Sequence, residues 1–218
     1  MPINITQTIK MKNILFVAAC FIFFKVTAQD APVKFDGKKW EAPYLLDIPK
    51  DWRVERFLIP IEFAPSISYT GVEDIRFTPG WSKIATDEYW GYAFLWYLDN
   101  SPKFDAKIIE KNLTAYYTGL INVNVDKRKI DSAKLAPVKT SIKKRATENG
   151  DITTFEGTVS MADFLTLKPI VVNLLVHIRS CEGQNKTFVF YEVSPKPYSD
   201  NVWSRLNQLW ANFKCTKN

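Results

Sequence analysis

Glu88-Tyr89-Trp90-Gly91-Tyr92-Ala93-Phe94-Leu95-Trp96-Tyr97-Leu98 has the strongest strand pattern in this chain of 218 residues. Its even-numbered residues from Trp90 to Leu98 are apolar or aromatic, and the residues between them are aromatic, apolar or small. A strand that is apolar on both faces is typical of the centre of a sheet with other elements packed on each side. The segment therefore predicts a central strand of a sheet that is covered on both faces.

Six further strands are predicted around this segment. Alternating apolar residues indicate strands at 56–63 and 72–78 before it, and at 138–147, 152–160, 170–180 and 187–193 after it. The polar turns at 148–151 and 181–186 separate two pairs of these strands in the way that is typical of hairpins. Pro60 indicates that the first strand lies at an edge or carries a bulge.

Two helices complete the predicted fold. Residues 105–123 carry apolar side chains at helical spacing, and Asp105 is suited to cap the first turn. A second helix begins at Ser199 or Asp200 and carries an apolar stripe that ends with Trp210 and Phe213. Runs of strands interrupted by single helices predict an α+β domain with a mostly antiparallel sheet of about seven strands, a middle helix and a C-terminal helix.

Two resemblances to known families follow from this pattern. The order of elements over residues 48–215, with a tryptophan turn at the start and Trp203-x-x-Leu206 in the last helix, is similar to the PsbP-like α/β/α sandwich. The chain also resembles a group of uncharacterised bacterial exported proteins. This resemblance lies in the segments Ile48-Pro49-x-x-Trp52, Phe63-Ala64-Pro65, Gly71-x-Glu73 and Arg76-Phe77-x-Pro79-Gly80. The first resemblance implies a sandwich fold, and neither implies an activity or a functional residue.

The N-terminus has the pattern of a secretory signal. Lys10 and Lys12 precede the apolar run 14–24, and Val26-Thr27-Ala28 supplies small residues for cleavage before Gln29. The run is too short for a transmembrane helix, which needs about 20 apolar residues. We therefore expect a cleaved signal peptide at 1–28, an N-terminal tail at 29–47 and a single α+β domain at 48–218, exported to the periplasm or the medium without a transmembrane segment.

The three cysteines raise two questions about the exported form. Cys20 lies in a sequence that resembles a lipoprotein box, so a membrane-anchored lipoprotein is the alternative localisation. The apolar run continues past Cys20 to Phe24, however, which favours cleavage after Ala28. The mature chain then keeps Cys181 and Cys215, an even number that is compatible with one disulfide or with two thiols.

The charge of the chain restricts its partners. The net charge of +6 falls to about +3 when the signal is removed, because its three lysines leave 26 basic against 23 acidic residues. A charge this small argues against nucleic acid as a partner. Residues 126–145 nevertheless hold a candidate basic patch of Lys127, Arg128, Lys129, Lys143, Lys144 and Arg145. It is suited to anionic lipid or an acidic partner, although lysines that protect a strand edge are the preferred interpretation.

Catalytic patterns are scarce in this sequence. His177 is its one histidine, and about 13 Å of extended strand would separate it from Cys181, too far for a nucleophile and its base. No G-x-S-x-G elbow, phosphate-binding loop or zinc-ligand spacing occurs, so we assign no catalytic residue, no metal and no cofactor. A carboxylate-dependent hydrolase stays an alternative, with candidate acids Glu62, Glu73, Asp74, Glu88, Glu156 and Asp163.

The aromatic residues near the central strand offer a candidate ligand site. Most of them are expected in the core, but Trp81, Tyr89 and Trp90 are candidates to line a pocket. Trp81 and Tyr89 are preferred, because they lie at the strand entry where loops meet. We therefore predict an exported, non-catalytic binding protein of unknown ligand. An envelope assembly or interaction factor is the other alternative, with the sheet edge and residues 30–52 as its contact surfaces. An envelope protein, a glycan or an anionic lipid is the expected partner.

Overall fold

The computed structural model describes residues 34–148 and 150–216. The predicted signal peptide at 1–28, with Cys20, and the first part of the predicted tail lie outside the described residues. Residues 35–216 belong to one compact unit.

The elements follow the order predicted from the sequence, with two short strands added at the ends. The strands are β1 (Tyr44–Leu45), β2 (Arg53–Ile59), β3 (Gly71–Phe77), β4 (Tyr92–Asp99), β5 (Lys139–Lys144), β6 (Thr153–Ala162), β7 (Pro169–Ser180), β8 (Lys186–Ser194) and β9 (Lys214–Cys215). The helices are α1 (Ala106–Asp126) and α2 (Asn201–Ala211), and a 3₁₀ turn covers Ser132–Lys134.

Seven strands form one antiparallel sheet in the order β2-β3-β4-β8-β7-β6-β5. The predicted α+β class, with a middle helix and a C-terminal helix, is confirmed. One apolar cluster joins α1 to one face of the sheet, and a second joins α2 to the other face. Consequently β2 and β5 are the edge strands, and each face of the sheet has its own helix.

The strand β4 lies inside the sheet between β3 and β8, as its two apolar faces predict. Phe94 and Trp96 belong to the cluster on the α1 face, whereas Ala93 and Leu95 belong to the cluster on the α2 face. The prediction that this strand begins at Glu88 is wrong, since it begins at Tyr92. Trp90 has a left-handed backbone with φ of 56°, which is incompatible with an extended strand and turns the chain just before it.

Two other predicted boundaries differ from those in the structure. The first predicted strand, 56–63, is β2 and runs from Arg53 to Ile59, because Pro60 has no N–H to continue the ladder. Helix α1 extends three residues further than predicted, to Asp126. Its predicted cap is confirmed, since Asp105 accepts a 2.8 Å hydrogen bond from the N–H of Ile108.

Residues 35–47, part of the predicted tail, pack against the α2 face. The strand β1 pairs with β9, and Tyr44 is buried with its hydroxyl donating to Asp74 Oδ2 at 3.1 Å. The buried guanidinium of Arg76 donates to the carbonyl of Asp47 at 2.9 Å and also pairs with Asp74. Among the described helices, none is long and apolar enough to cross a membrane.

Candidate functional site

An aromatic pocket lies on the α1 face, next to the edge strand β2. Its volume is about 210 Å³, and residues of β2, β3, β4, α1 and three loops line it. Eight aromatic residues are among those that line it: Phe57, Phe63, Phe77, Trp81, Trp90, Tyr92, Tyr116 and Phe164. A concave, mostly aromatic lining with a few polar groups is the usual form of a small-molecule site.

The period-two geometry of β2 and β3 positions one side of this pocket. Arg53, Glu55 and Phe57 alternate along β2 and therefore face the same way, and all three line the pocket. Phe77 pairs in register with Tyr92 of β4, and its ring centroid lies 4.7 Å from that of Trp81. The edge position of β2 leaves this end of the α1 face open.

The loop between β3 and β4 supplies both tryptophans of the wall. The N–H of Trp90 donates to the carbonyl of Trp81 at 2.7 Å, which fixes the two residues beside each other. Trp90 Nε1 also donates to Asp163 Oδ1 at 3.1 Å, and the ring of Trp90 lies 5.1 Å from that of Phe164. These bonds explain why Trp90 keeps its left-handed backbone and stays in the wall.

The predicted ligand-binding residues take two positions. Trp81 and Trp90 line the pocket, whereas Tyr89 lies outside its lining and donates its hydroxyl to Asp163 Oδ2. Burial by itself raises the pKa of Asp163, but hydrogen bonds from Thr166, Tyr89 and other donors outweigh it and hold that pKa below its usual value. Asp163 is therefore ionised at neutral pH, and it holds Tyr89 and Trp90 in place.

The inner wall of the pocket consists of tyrosine rings whose hydroxyl groups are hydrogen-bonded to other residues of the protein. The hydroxyl of Tyr92 shares a 2.7 Å hydrogen bond with that of Tyr117, and Tyr116 donates to Glu73 Oε1 at 2.7 Å. Glu73 is fully buried and accepts a second bond from Trp96 Nε1 at 3.1 Å. Burial raises the pKa of Glu73 to about 8, although both hydrogen bonds oppose that change. The engaged hydroxyls leave the inner wall suited to apolar groups.

The rim of the pocket carries its charges. The guanidinium carbon of Arg53 lies 5.0 Å from the ring centroid of Phe77 and 5.2 Å from that of Trp81. Glu55 pairs with Arg53 at 3.3 Å, and the two side chains are 48% and 57% exposed. Arg128 Nη1 donates to the carbonyl of Phe164 at 2.7 Å, which places this basic residue behind the opposite wall.

The six residues of the predicted basic patch fall into two groups. Lys127, Arg128 and Lys129 follow the end of α1 and are exposed, and Arg128 connects them to the pocket wall. Lys143, Lys144 and Arg145 lie on or just after the edge strand β5. There Lys143 pairs with Glu156 at 3.1 Å, and Arg145 pairs with Glu156 at 3.6 Å and with Glu148 at 3.8 Å.

The sequence analysis did not identify a buried charged cluster around His177 on the α2 face. Its Nδ1 lies 2.8 Å from Asp151 Oδ2, and its Nε2 lies 3.5 Å from Glu192 Oε1. Burial alone lowers the pKa of His177, but the bond to Asp151 and the nearby carboxylate of Glu192 outweigh it and raise that pKa to about 9. Trp210 packs over the ring at 5.7 Å and donates to Asp151, so this buried cluster connects α2 to the sheet.

Three of the candidate acids of a hydrolase are held by different parts of the structure. Glu73 faces α1, whereas Asp74 faces α2 and is held by Tyr44, Arg56 and Arg76. Asp163 binds the loop that carries Trp90. Within residues 34–148 and 150–216, no three His, Cys, Asp or Glu side chains are grouped as metal ligands.

Two cysteines of the described residues are joined. Cys181 and Cys215 form a disulfide with their Cα atoms 5.7 Å apart, within the usual range for such a bond. It ties β9, and with it the paired β1, to the end of β7.

Two further residues of the pocket lining could not be predicted from the sequence, for the same reason. Arg53 and Phe164 lie 111 positions apart in the chain, and both become pocket residues through tertiary packing alone. The alternation of Arg53, Glu55 and Phe57 could have indicated that Arg53 shares the inner face of its strand, if the strand had been predicted to begin three residues earlier.

Comparisons with known proteins identify no family for this chain. No family model matches it, and no curated protein matches it. Among solved structures, a crystal structure of LpqN, described as involved in cell envelope biogenesis of Mycobacterium tuberculosis, matches with 14% identity and a TM-score of 0.32. That match covers 80% of this chain and 83% of LpqN. At this TM-score the similarity supports no inference about the function of this chain.

Proposed function

We propose that this protein is an exported, non-catalytic binding protein that takes a small, largely apolar ligand into the aromatic pocket. The observation that carries the proposal is the inner wall, where rings form the surface while the hydroxyls of Tyr92 and Tyr116 are bound to Tyr117 and Glu73. Burying apolar ligand surface against such rings contributes about 25 cal/mol per Å².

The lining also supports binding without catalysis. Among the described residues that line the pocket, none is a histidine, cysteine or serine, and the acid at the rim is Glu55. Glu55 is about half exposed and pairs with Arg53. A general acid or base is usually held in place by hydrogen bonds, and among the described hydrogen bonds and ion pairs Glu55 makes this exposed pair.

Export is supported by two independent features of the chain. The pattern at 1–28 is that of a signal peptide, and Cys181 is joined to Cys215, as is common in proteins of oxidising compartments. We therefore propose that binding takes place in the periplasm, at the cell surface or outside the cell.

A titration with N-phenyl-1-naphthylamine, an uncharged probe that fluoresces in apolar surroundings, tests the binding function. The wild-type protein should bind it saturably, and Trp81→Ala should weaken binding about tenfold, or about 1.4 kcal/mol. Leu120→Phe, which fills the pocket from α1, should also weaken binding while the protein stays folded. Trp40 is a matched control because it is half-buried on the α2 face, so Trp40→Ala should bind as the wild type does.

Two outcomes would overturn the proposal. One is the absence of saturable binding to the wild-type protein. The other is equal binding by the wild type, Trp81→Ala and Leu120→Phe, which would place the probe elsewhere on the protein.

A further inference from the structure

We propose that the ligand of the aromatic pocket is an amphipathic molecule with one apolar chain and an anionic head group, which Arg53 binds at the rim. This inference rests on the proposed function and specifies its ligand class.

Arg53 is placed to contact both parts of such a ligand. Its guanidinium lies over the rings of Phe77 and Trp81, at 5.0 and 5.2 Å, and these rings are themselves pocket wall. A chain seated among the rings would therefore end beside a cation. Stacking on the rings also restricts the long side chain before a ligand arrives, which reduces the entropy lost on binding.

The present partner of Arg53 is easily exchanged. Its pair with Glu55 is made by side chains that are 57% and 48% exposed, and exposed pairs of this kind contribute about 0–1 kcal/mol. A carboxylate or phosphate can accept two parallel hydrogen bonds from a guanidinium, and a partly desolvated pair of that geometry is stronger. Once the apolar chain is bound, it is thus favourable for Arg53 to release Glu55 and to pair with the anionic head group of the ligand.

Further positive charge lies at the far end of α1. Tyr116, Leu120 and Asn124 line the pocket at successive intervals of four residues. The next position in this series is Arg128, which donates to the carbonyl of the lining residue Phe164. The exposed Lys127 and Lys129 flank it. Positive charges on two sides of one pocket attract an anionic ligand and speed its approach.

The acidic rim residue defines the competing hypothesis. Glu55 could instead hold a cationic head group, and then Arg53 would oppose binding. The geometry favours the anion because Arg53, rather than Glu55, is the residue with its charge over the rings of the wall.

Three probes with the same ten-carbon chain separate these possibilities: decanoate, 1-decanol and decyltrimethylammonium. Each is titrated below its micelle concentration by displacement of N-phenyl-1-naphthylamine. The wild-type protein should bind decanoate at least about fivefold more tightly than decanol, about 1 kcal/mol, and the ammonium probe most weakly. Added salt should reduce the preference for decanoate, because the head group contact is partly exposed.

Substitutions at the rim identify the group responsible. Arg53→Met keeps an unbranched apolar side chain over the rings and should remove the preference for decanoate over decanol, whereas Arg53→Lys should keep part of it. Glu55→Gln removes the competing carboxylate and should strengthen decanoate binding severalfold. Arg145 is a matched control on the opposite edge of the sheet, so Arg145→Met should keep the wild-type affinities.

The outcomes distinguish this inference from the proposed function. Equal binding of decanoate and decanol, a preference for decyltrimethylammonium, or a preference for decanoate that Arg53→Met leaves intact would overturn the anionic head group, while the binding function would stand. Failure of all three probes, together with N-phenyl-1-naphthylamine, would overturn both.

Discussion

The hydroxyl of Tyr116 donates a 2.7 Å hydrogen bond to Oε1 of Glu73, so a wall residue of the pocket is held by a fully buried acid. Glu73 itself lies outside the pocket lining, on the neighbouring part of β3. The arrangement turns the polar end of Tyr116 into the protein and leaves its ring in the pocket wall. The surface that we propose to bind a ligand therefore depends on a buried group outside the lining.

Glu73 should make the stability of the protein fall as the pH rises. Its pKa is raised from 4.5 to about 8, so its contribution is fully present below about pH 4.5 and is lost as the pH rises through about 8. We expect Glu73→Gln to remove a loss on the order of 3 kcal/mol between about pH 5 and about pH 8. Urea denaturation at both pH values measures this. Glu62 is exposed, so Glu62→Gln is the control and should lose as much stability between the two pH values as the wild type does. The same loss in Glu73→Gln would contradict a raised pKa of Glu73.

The pair of Asp151 and His177 should be among the most sensitive sites for folding. The pKa of His177 is raised to about 9, so its contribution is present below about pH 6.5 and is lost as the pH rises through about 9. Asp151→Asn removes one partner of a buried pair and should reduce the free energy of unfolding by about 3 kcal/mol at neutral pH. Guanidinium denaturation measures the loss. The exposed Asp126 provides the control, since Asp126→Asn should change little, and equal stability of the two variants would refute a stabilising role.

How far the sequence could predict this molecule is shown by particular residues. The two faces of β4 were predictable because period two in Phe94 to Leu98 is a local property of a strand. The loop positions of Trp81 and Tyr89 predicted that both line a pocket, but of these two only Trp81 is among its lining residues. Arg53 joins Trp81 through the pairing of β2 with β3. The partners of His177 were not predictable, because Asp151 and Glu192 lie 26 and 15 positions from it in the chain and meet it only through tertiary folding.

The disulfide should stabilise the end of the fold that carries β1 and β9. Cys181 and Cys215 are 34 residues apart, and removing a bridge from a domain usually costs about 2–5 kcal/mol. We expect the double variant Cys181→Ala, Cys215→Ala to lose stability in this range and to exchange the amide of Tyr44 faster, because β1 pairs with β9. Hydrogen exchange measured by mass spectrometry checks this. Unchanged exchange at Tyr44 would show that β1 is held independently, by Asp74 and Arg76.

Cleavage of the predicted signal peptide would give the proposed exported form a defined start. Mass spectrometry of the protein from its native host should show a mature N-terminus near Gln29. An intact N-terminal segment, or a lipid on Cys20, would contradict cleavage after Ala28 and favour the anchored form instead.

Binding in the aromatic pocket is tested most directly by the indole N–H signals of the tryptophans in a ¹⁵N NMR spectrum, assigned by single substitutions and followed during titration with 1-decanol. Trp81 and Trp90 line the pocket, whereas Trp40 and Trp210 lie on the opposite face of the sheet. The account predicts saturable shifts at Trp81 and Trp90, with Trp40 and Trp210 unchanged. Shifts confined to Trp40 or Trp210, or no shift at any tryptophan, would contradict it.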